Sequence, residues 1–226
     1  MRLLGSIVLA LLMVKPGYGQ SAENIDLDYK TRNIIWGTPV SKNTKINGVA
    51  IGLLTVPMFE AELLIINGLN IEASPFAVFG GVFAIVGTIL SPFDPFTKHK
   101  SAPDSSGFRD FFPYFTDSIS GRSLTAINGF SISTGLSRID NLRGIGINAL
   151  TSFPDQVNGL EVTGIMNFHY SFKGVIIAGF RNKTTTGKGL QIGLFNSCKE
   201  GKVVQIGLLN RIGKVTTPII NINLRN

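Results

Sequence analysis

GKGLQIGLFNSCKEGKVVQIGLLN, residues 187–210, states one phrase twice. Gly189-Leu190-Gln191-Ile192-Gly193-Leu194-Phe195-Asn196 returns fourteen residues later as Val203-Val204-Gln205-Ile206-Gly207-Leu208-Leu209-Asn210. The phrase extends backwards: Gly129 opens GFSIS, Gly144 opens GIGIN, Gly159 opens GLEVTG and Gly174 opens GVIIAG. The glycine before an apolar–x–apolar triplet therefore recurs every fifteen residues from 129 to 189. Looser copies begin at Gly48 (NGVAIGLL), Gly68 (NGLNIE) and Gly81 (GVFAIVG). Self-similarity at a fixed period marks an array of structural repeats.

Within each copy the alternation has period two, the pattern of a strand. Leu190, Ile192 and Leu194 share one face with Asn196, and Gln191, Gly193 and Phe195 share the other. Hydrophobicity assigns the leucine–isoleucine face to the interior. The copies at Gly159 and Gly174 hold one extra residue before Asn167 and Asn182, which a β-bulge inside the strand would absorb. FHYSFK, KTTTGK and SCKEGK, between the strands, have turn character.

One strand per fifteen residues fits a parallel β-solenoid, in which each repeat is one coil, or an antiparallel meander or barrel. An antiparallel array repeats every two strands. The residues before the aligned position run Asn128, Arg143, Asn158, Lys173, Lys188, Lys202 and show no alternation of that kind. The fold class expected is therefore all-β, with a parallel solenoid favoured over a meander or barrel. In a solenoid Asn167, Asn182, Asn196 and Asn210 would stack into an amide ladder. No single repeat can fold alone. It buries about three large apolar side chains at roughly 1.5–3 kcal/mol each, against about 1–2 kcal/mol per residue for ordering fifteen backbones. Stacking makes up the difference, and the ends need caps. Residues 20–46 and TPIININLRN at the C-terminus are the candidates, with Pro218 suited to an edge strand.

Met1-Arg2, the apolar run Leu3–Val14 and Gly17-Tyr18-Gly19 read as a signal peptide cleaved after Gly19. Residues 20–226 then form a single β-repeat domain, interrupted by an irregular excursion at 91–127. The excursion's Phe108, Phe111, Phe112, Tyr114 and Phe115 are expected to tuck against the side of the array. Phe76–Leu90 is too short and glycine-rich for a membrane helix and reads as buried strand. Cys198 is the one cysteine, so no internal disulfide exists, and it is expected to fill a small buried slot.

Residue types that carry catalysis are sparse. His99 and His169 have no metal-ligand spacing, and His169 is expected in a turn, packed on aromatics. No G-x-S-x-G elbow and no phosphate-binding G-x-x-x-x-G-K-[ST] occurs. Carboxylate chemistry would draw on Asp140, Asp155, Glu161 and Glu200, and no two of these are read as sharing a position that would stack them. The chain is read as a non-enzyme with no cofactor and no metal.

The phrases IIWGTPVSKNTKINGVAIGLL, VNGLEVTGIMN and GKGLQIGLFNSCKEGKVVQIGLLNRIGK resemble those of exported bacterial surface-repeat proteins. That family carries tandem Asn-Gly-φ-x-φ…Gly-φ-φ-Asn units after a signal peptide. The resemblance covers roughly residues 34–223 and implies a location at the cell surface, outer membrane or periplasm, with no activity or cofactor. The function expected is a structural or binding module of the cell envelope. The alternatives are a small outer-membrane β-barrel or pore component and, further off, a polysaccharide-acting β-helix hydrolase.

Charge suggests where such a module would bind. Residues 128–226 hold 11 basic and 4 acidic side chains, whereas 20–127 hold 8 and 10. Arg143, Lys173, Lys188 and Lys202 recur just before successive repeat motifs and would line one edge of a solenoid. Such an edge can be a solvated, aggregation-resistant border. It can equally attract an anionic envelope glycan, lipopolysaccharide or a surface protein. Nucleic acid is not an expected partner, and membrane association, if any, would be peripheral.

Overall fold

The computed structural model describes residues 29–40, 42–53, 63–74, 124–135 and 139–224. The expected signal peptide, the stretch Phe76–Leu90, the copy at Gly81, the excursion aromatics and His99 lie outside those residues. The described residues are strand and connecting bends, without helix: β1 Lys30–Thr38, β2 Thr44–Gly52, β3 Leu63–Glu72, β4 Leu124–Ser133, β5 Asn141–Asn148, β6 Thr151–Ser152, β7 Gln156–Thr163, β8 Met166–Ala178, β9 Arg181–Ile192, β10 Phe195–Ile212 and β11 Val215–Asn223. Strand β4 begins at Leu124, inside the segment assigned to the excursion.

Every strand from β1 to β10 on the main path pairs parallel with its successor, in the order β1-β2-β3-β4-β5-β7-β8-β9-β10. This is a β-solenoid of about eight turns. The barrel and meander readings fall with that finding. Strand β11 turns back antiparallel on β10 and closes the C-terminal end. Pro218 lies in this edge strand, facing Leu209 where the register slips, a place where its missing N–H breaks no central ladder.

The recurring glycine builds the corner of each coil. Gly48, Gly68, Gly129, Gly144, Gly159, Gly174 and Gly189 fall in one column, with φ between 131° and 141°. A Cβ on Gly174 would collide with the carbonyl oxygen of Gly159, and one on Gly189 with that of Gly174. Glycine is thus required twice, by the left-handed backbone and by the coil stacked against it. The rule lapses at the ends. Ile34 pairs with Gly48 in the first rung and holds φ 76°. In the last rung Val203 pairs with Gly189, and Gly201 takes the positive φ of 133°.

FHYSFK, KTTTGK and SCKEGK are strand, not turn: they run within β8, β9 and β10. The extra residue before Asn167 and Asn182 is not a bulge either. Ile177 pairs with Ile192 and Arg181 with Phe195, so three residues span a corner that the next coil turns in two. An insertion there leaves both flanking ladders in phase.

The interior is one side chain thick and chemically divided. Ile46, Ile66, Ile127, Leu142, Val157 and Phe172, on the arms that lead into the glycine corner, form its apolar half. On the arms that follow, the inward column reads Ala50, Asn70, Ser131, Gly146, Glu161, Ile176, Gln191, Gln205. Gln191 and Gln205 have no exposed surface, whereas Ile206 is 41% and Leu194 47% exposed. The assignment of faces from hydrophobicity is therefore inverted: leucine and isoleucine point out and the amides point in.

Buried polar groups are tolerable when each finds a partner, and translated coils supply identical partners. Asn167 Nδ2 donates to Asn182 Oδ1 at 3.0 Å, Asn182 to Asn196 at 2.8 Å, and Asn196 to Asn210 at 2.8 Å. The expected amide ladder is present. Gln205 Nε2 donates likewise to Gln191 Oε1 at 2.5 Å, and Gln191 Nε2 reaches across the coil to Thr184 Oγ1 at 3.0 Å.

Candidate functional site

The residue just before the corner glycine points outward on every rung, because the backbone reverses there. Its column reads Asn33, Asn47, Asn67, Asn128, Arg143, Asn158, Lys173, Lys188, Lys202. The first four are linked by side-chain hydrogen bonds of 3.3, 2.9 and 2.8 Å, each amide donating to the rung before. The column then becomes cationic. Arg143, Lys173, Lys188 and Lys202 are all exposed, and the three lysines occupy consecutive rungs about 4.8 Å apart. Among the described residues none of the four is within ion-pair distance of a carboxylate. Stacked like charges without counter-charge repel one another and favour any polyanion that can reach several at once. Lys188 and Lys202 also rim an open hollow of about 740 Å³ at the C-terminal end, with Lys199, Glu200, Asn221 and Asn223.

Beside this edge lies a face that hydrophobic patterning had placed inside. One outward column reads Ile35, Val49, Leu69, Phe130, Ile145, Leu160, Val175, Leu190, Val204. Two residues further along each strand, a second reads Ile51, Ile71, Ile132, Ile147, Val162, Ile177, Ile192, Ile206. Neither contains a polar residue. The first column is mostly half-buried by its neighbours. The second is more open, with Ile51 48%, Ile132 40% and Ile206 41% exposed. Strand β11 extends both, since Ile222 pairs with Val204 and Ile220 with Ile206.

Among the described residues the remaining candidates are dispersed. His169 lies in β8, not in a turn, and is buried. Its Nε2 is 2.7 Å from Glu161 Oε2, and its Nδ1 is 3.1 Å from the carbonyl oxygen of Pro154. A carbonyl only accepts, so in that contact Nδ1 is the donor. Glu161 Oε1 accepts from Asn148 Nδ2 at 3.0 Å and from Ser152 Oγ. Neither side chain of the pair has exposed surface.

Asp140 and Asp155 immediately precede the paired residues Asn141 and Gln156, so the two residues share a repeat position on adjacent coils, contrary to the reading from spacing. Asp140 Oδ2 accepts from the backbone N–H of Thr125 at 2.5 Å, which ties it to the previous rung. Cys198 is buried, as its residue type suggested. Burial pushes its thiol pKa up, against weaker lowering by hydrogen bonds to Thr184 and the Glu200 backbone. Among the described residues no group of three or more His, Cys, Asp or Glu side chains is placed to hold a metal ion.

Comparison with protein-family models, curated proteins and solved structures gave no match.

Proposed function

We propose that this is an exported protein of the bacterial envelope or cell surface that works without catalysis, as a rigid solenoid presenting a binding edge. Its partner is anionic: an acidic envelope glycan, the phosphates of lipopolysaccharide, or an acidic patch on a surface protein. The observation that carries the reading is the stacking of Lys173, Lys188 and Lys202 on consecutive rungs, with Arg143 two rungs before, all exposed and unpaired. Because the backbone is already ordered, a polyanion contact costs only the ordering of the lysine side chains. The export signal read at residues 1–19 and the resemblance to surface-repeat proteins place such a partner within reach.

Retention on lipopolysaccharide and acidic-glycan resins tests the reading. The parent should be held at low salt and released toward 0.15 M, where the Debye length falls to about 8 Å. The variant K173Q/K188Q/K202Q should elute at markedly lower salt. Equal retention of variant and parent, or no retention of either, would reduce the basic column to a solvated border.

A further inference from the structure

The first outward apolar column runs unbroken from β1 to the cap, and the second from β2 to the cap, with Gly37 at its position on β1. With about 4.8 Å per rung and a two-residue step of roughly 7 Å between columns, they form a stripe about 40 Å long. Isolated exposed leucines need no explanation, but a contiguous stripe of this size marks a surface built to be covered. Its placement narrows what covers it. Lys188 is followed at once by the corner Gly189, then by outward Leu190 and Ile192. Lys202 stands in the same relation to Val204 and Ile206. From Arg143 to Lys202 the basic residues thus border the apolar stripe across the glycine corner.

We infer that this side of the solenoid seats on an anionic lipid bilayer, with the apolar columns in the headgroup–acyl boundary and the basic column against headgroup phosphates. A second copy of the chain laid face to face would cover the stripe but leave the cationic column without counter-charge. A soluble polyanion would neutralise the column but leave the stripe in water. A bilayer with anionic headgroups satisfies both, as it does for interfacial helices that pair a basic border with an apolar face. The inference rests on the reading of the basic column as an anion contact, and adds the surface on which that contact is made.

The test is co-sedimentation with vesicles of phosphatidylcholine containing phosphatidylglycerol, against vesicles of phosphatidylcholine alone. The parent should bind the anionic vesicles at least tenfold more tightly. L190S/I192S/I206S should lose at least tenfold of that affinity, yet keep its retention on the polyanion resins, because the basic column is untouched. V175S/I177S, on a neighbouring rung, should behave alike and guards against misfolding of the first variant. K173Q/K188Q/K202Q should lose both activities. A parent held by the resins that ignores anionic vesicles overturns the lipid inference and leaves the anion contact standing. So does an apolar variant that binds vesicles as the parent does. A parent that sediments as a dimer, dissociated by the serine substitutions and indifferent to vesicles, would assign the stripe to a second copy.

Discussion

Glu161 Oε2 and His169 Nε2 are 2.7 Å apart with no exposed surface on either side chain. They lie eight residues apart in one coil, on arms that face each other across the interior. Their partners Asn148, Ser152 and the Pro154 carbonyl complete a relay along the solenoid axis. A buried pair of this kind costs much of its attraction in desolvation, but breaking it is expensive because one charge or dipole is left alone. His169→Ala should destabilise the protein by about 3–5 kcal/mol in urea unfolding. Replacing both members at once, by Glu161→Leu with His169→Phe, should cost far less than the single change. A double variant as unstable as the single one would mean that packing, not the uncompensated polar group, sets the cost.

The inverted faces give a sharp contrast. Gln191→Asp or Gln205→Asp places a carboxylate where exposure is zero, and should unfold the adjoining coils. Ile206→Asp, on the open side, should cost about 1 kcal/mol, chiefly in strand propensity. Circular dichroism melts of the four variants, with Ile192→Asp as the fourth, decide it. Similar losses from both sets would put the faces in doubt.

The glycine column predicts opposite outcomes at its end and in its middle. Gly174→Ala must push the coil away from the Gly159 carbonyl and adopt a strained φ, so it should cost more than the roughly 1–3 kcal/mol of backbone strain alone. Ile34 has no coil beneath it among the described residues and is 77% exposed, yet holds φ 76°. Ile34→Gly should therefore stabilise the first rung or leave it unchanged. Proteolysis of the N-terminal rung is a direct readout. Faster cleavage of Ile34→Gly would contradict the strain.

The period, the parallel stacking and the asparagine ladder were legible because translated copies put like beside like, and repetition survives in sequence as repetition. Alternation says that a strand has two faces but not which one is inside. Hydrophobicity chose Leu190 and Ile192, and failed because Gln205 donates to Gln191 and Gln191 to Thr184 inside the coil, leaving the apolar side free to face out. The basic column was legible by the same repetition. The Glu161–His169 contact was not, since neither residue type recurs at its position in the described copies and their meeting depends on which arms face each other. The corner insertion before Asn182 was misplaced into a strand because sequence fixes the length of a coil but not where it bends.

The parallel arrangement underlies the core, the basic column and the apolar stripe alike, and disulfide trapping tests it most directly. In a Cys198→Ser background, Lys188→Cys with Lys202→Cys should oxidise readily, because paired positions on adjacent rungs lie about 4.8 Å apart, within the 4.4–6.8 Å that a disulfide spans. Lys173→Cys with Lys202→Cys, two rungs apart at roughly 10 Å, should not. If residues 197–202 were instead a hairpin turn, positions 188 and 202 would be separated by roughly 25 Å, and the first pair would stay reduced. A bond between 188 and 202 with none between 173 and 202 is the result the solenoid requires; a reduced 188–202 pair would contradict it.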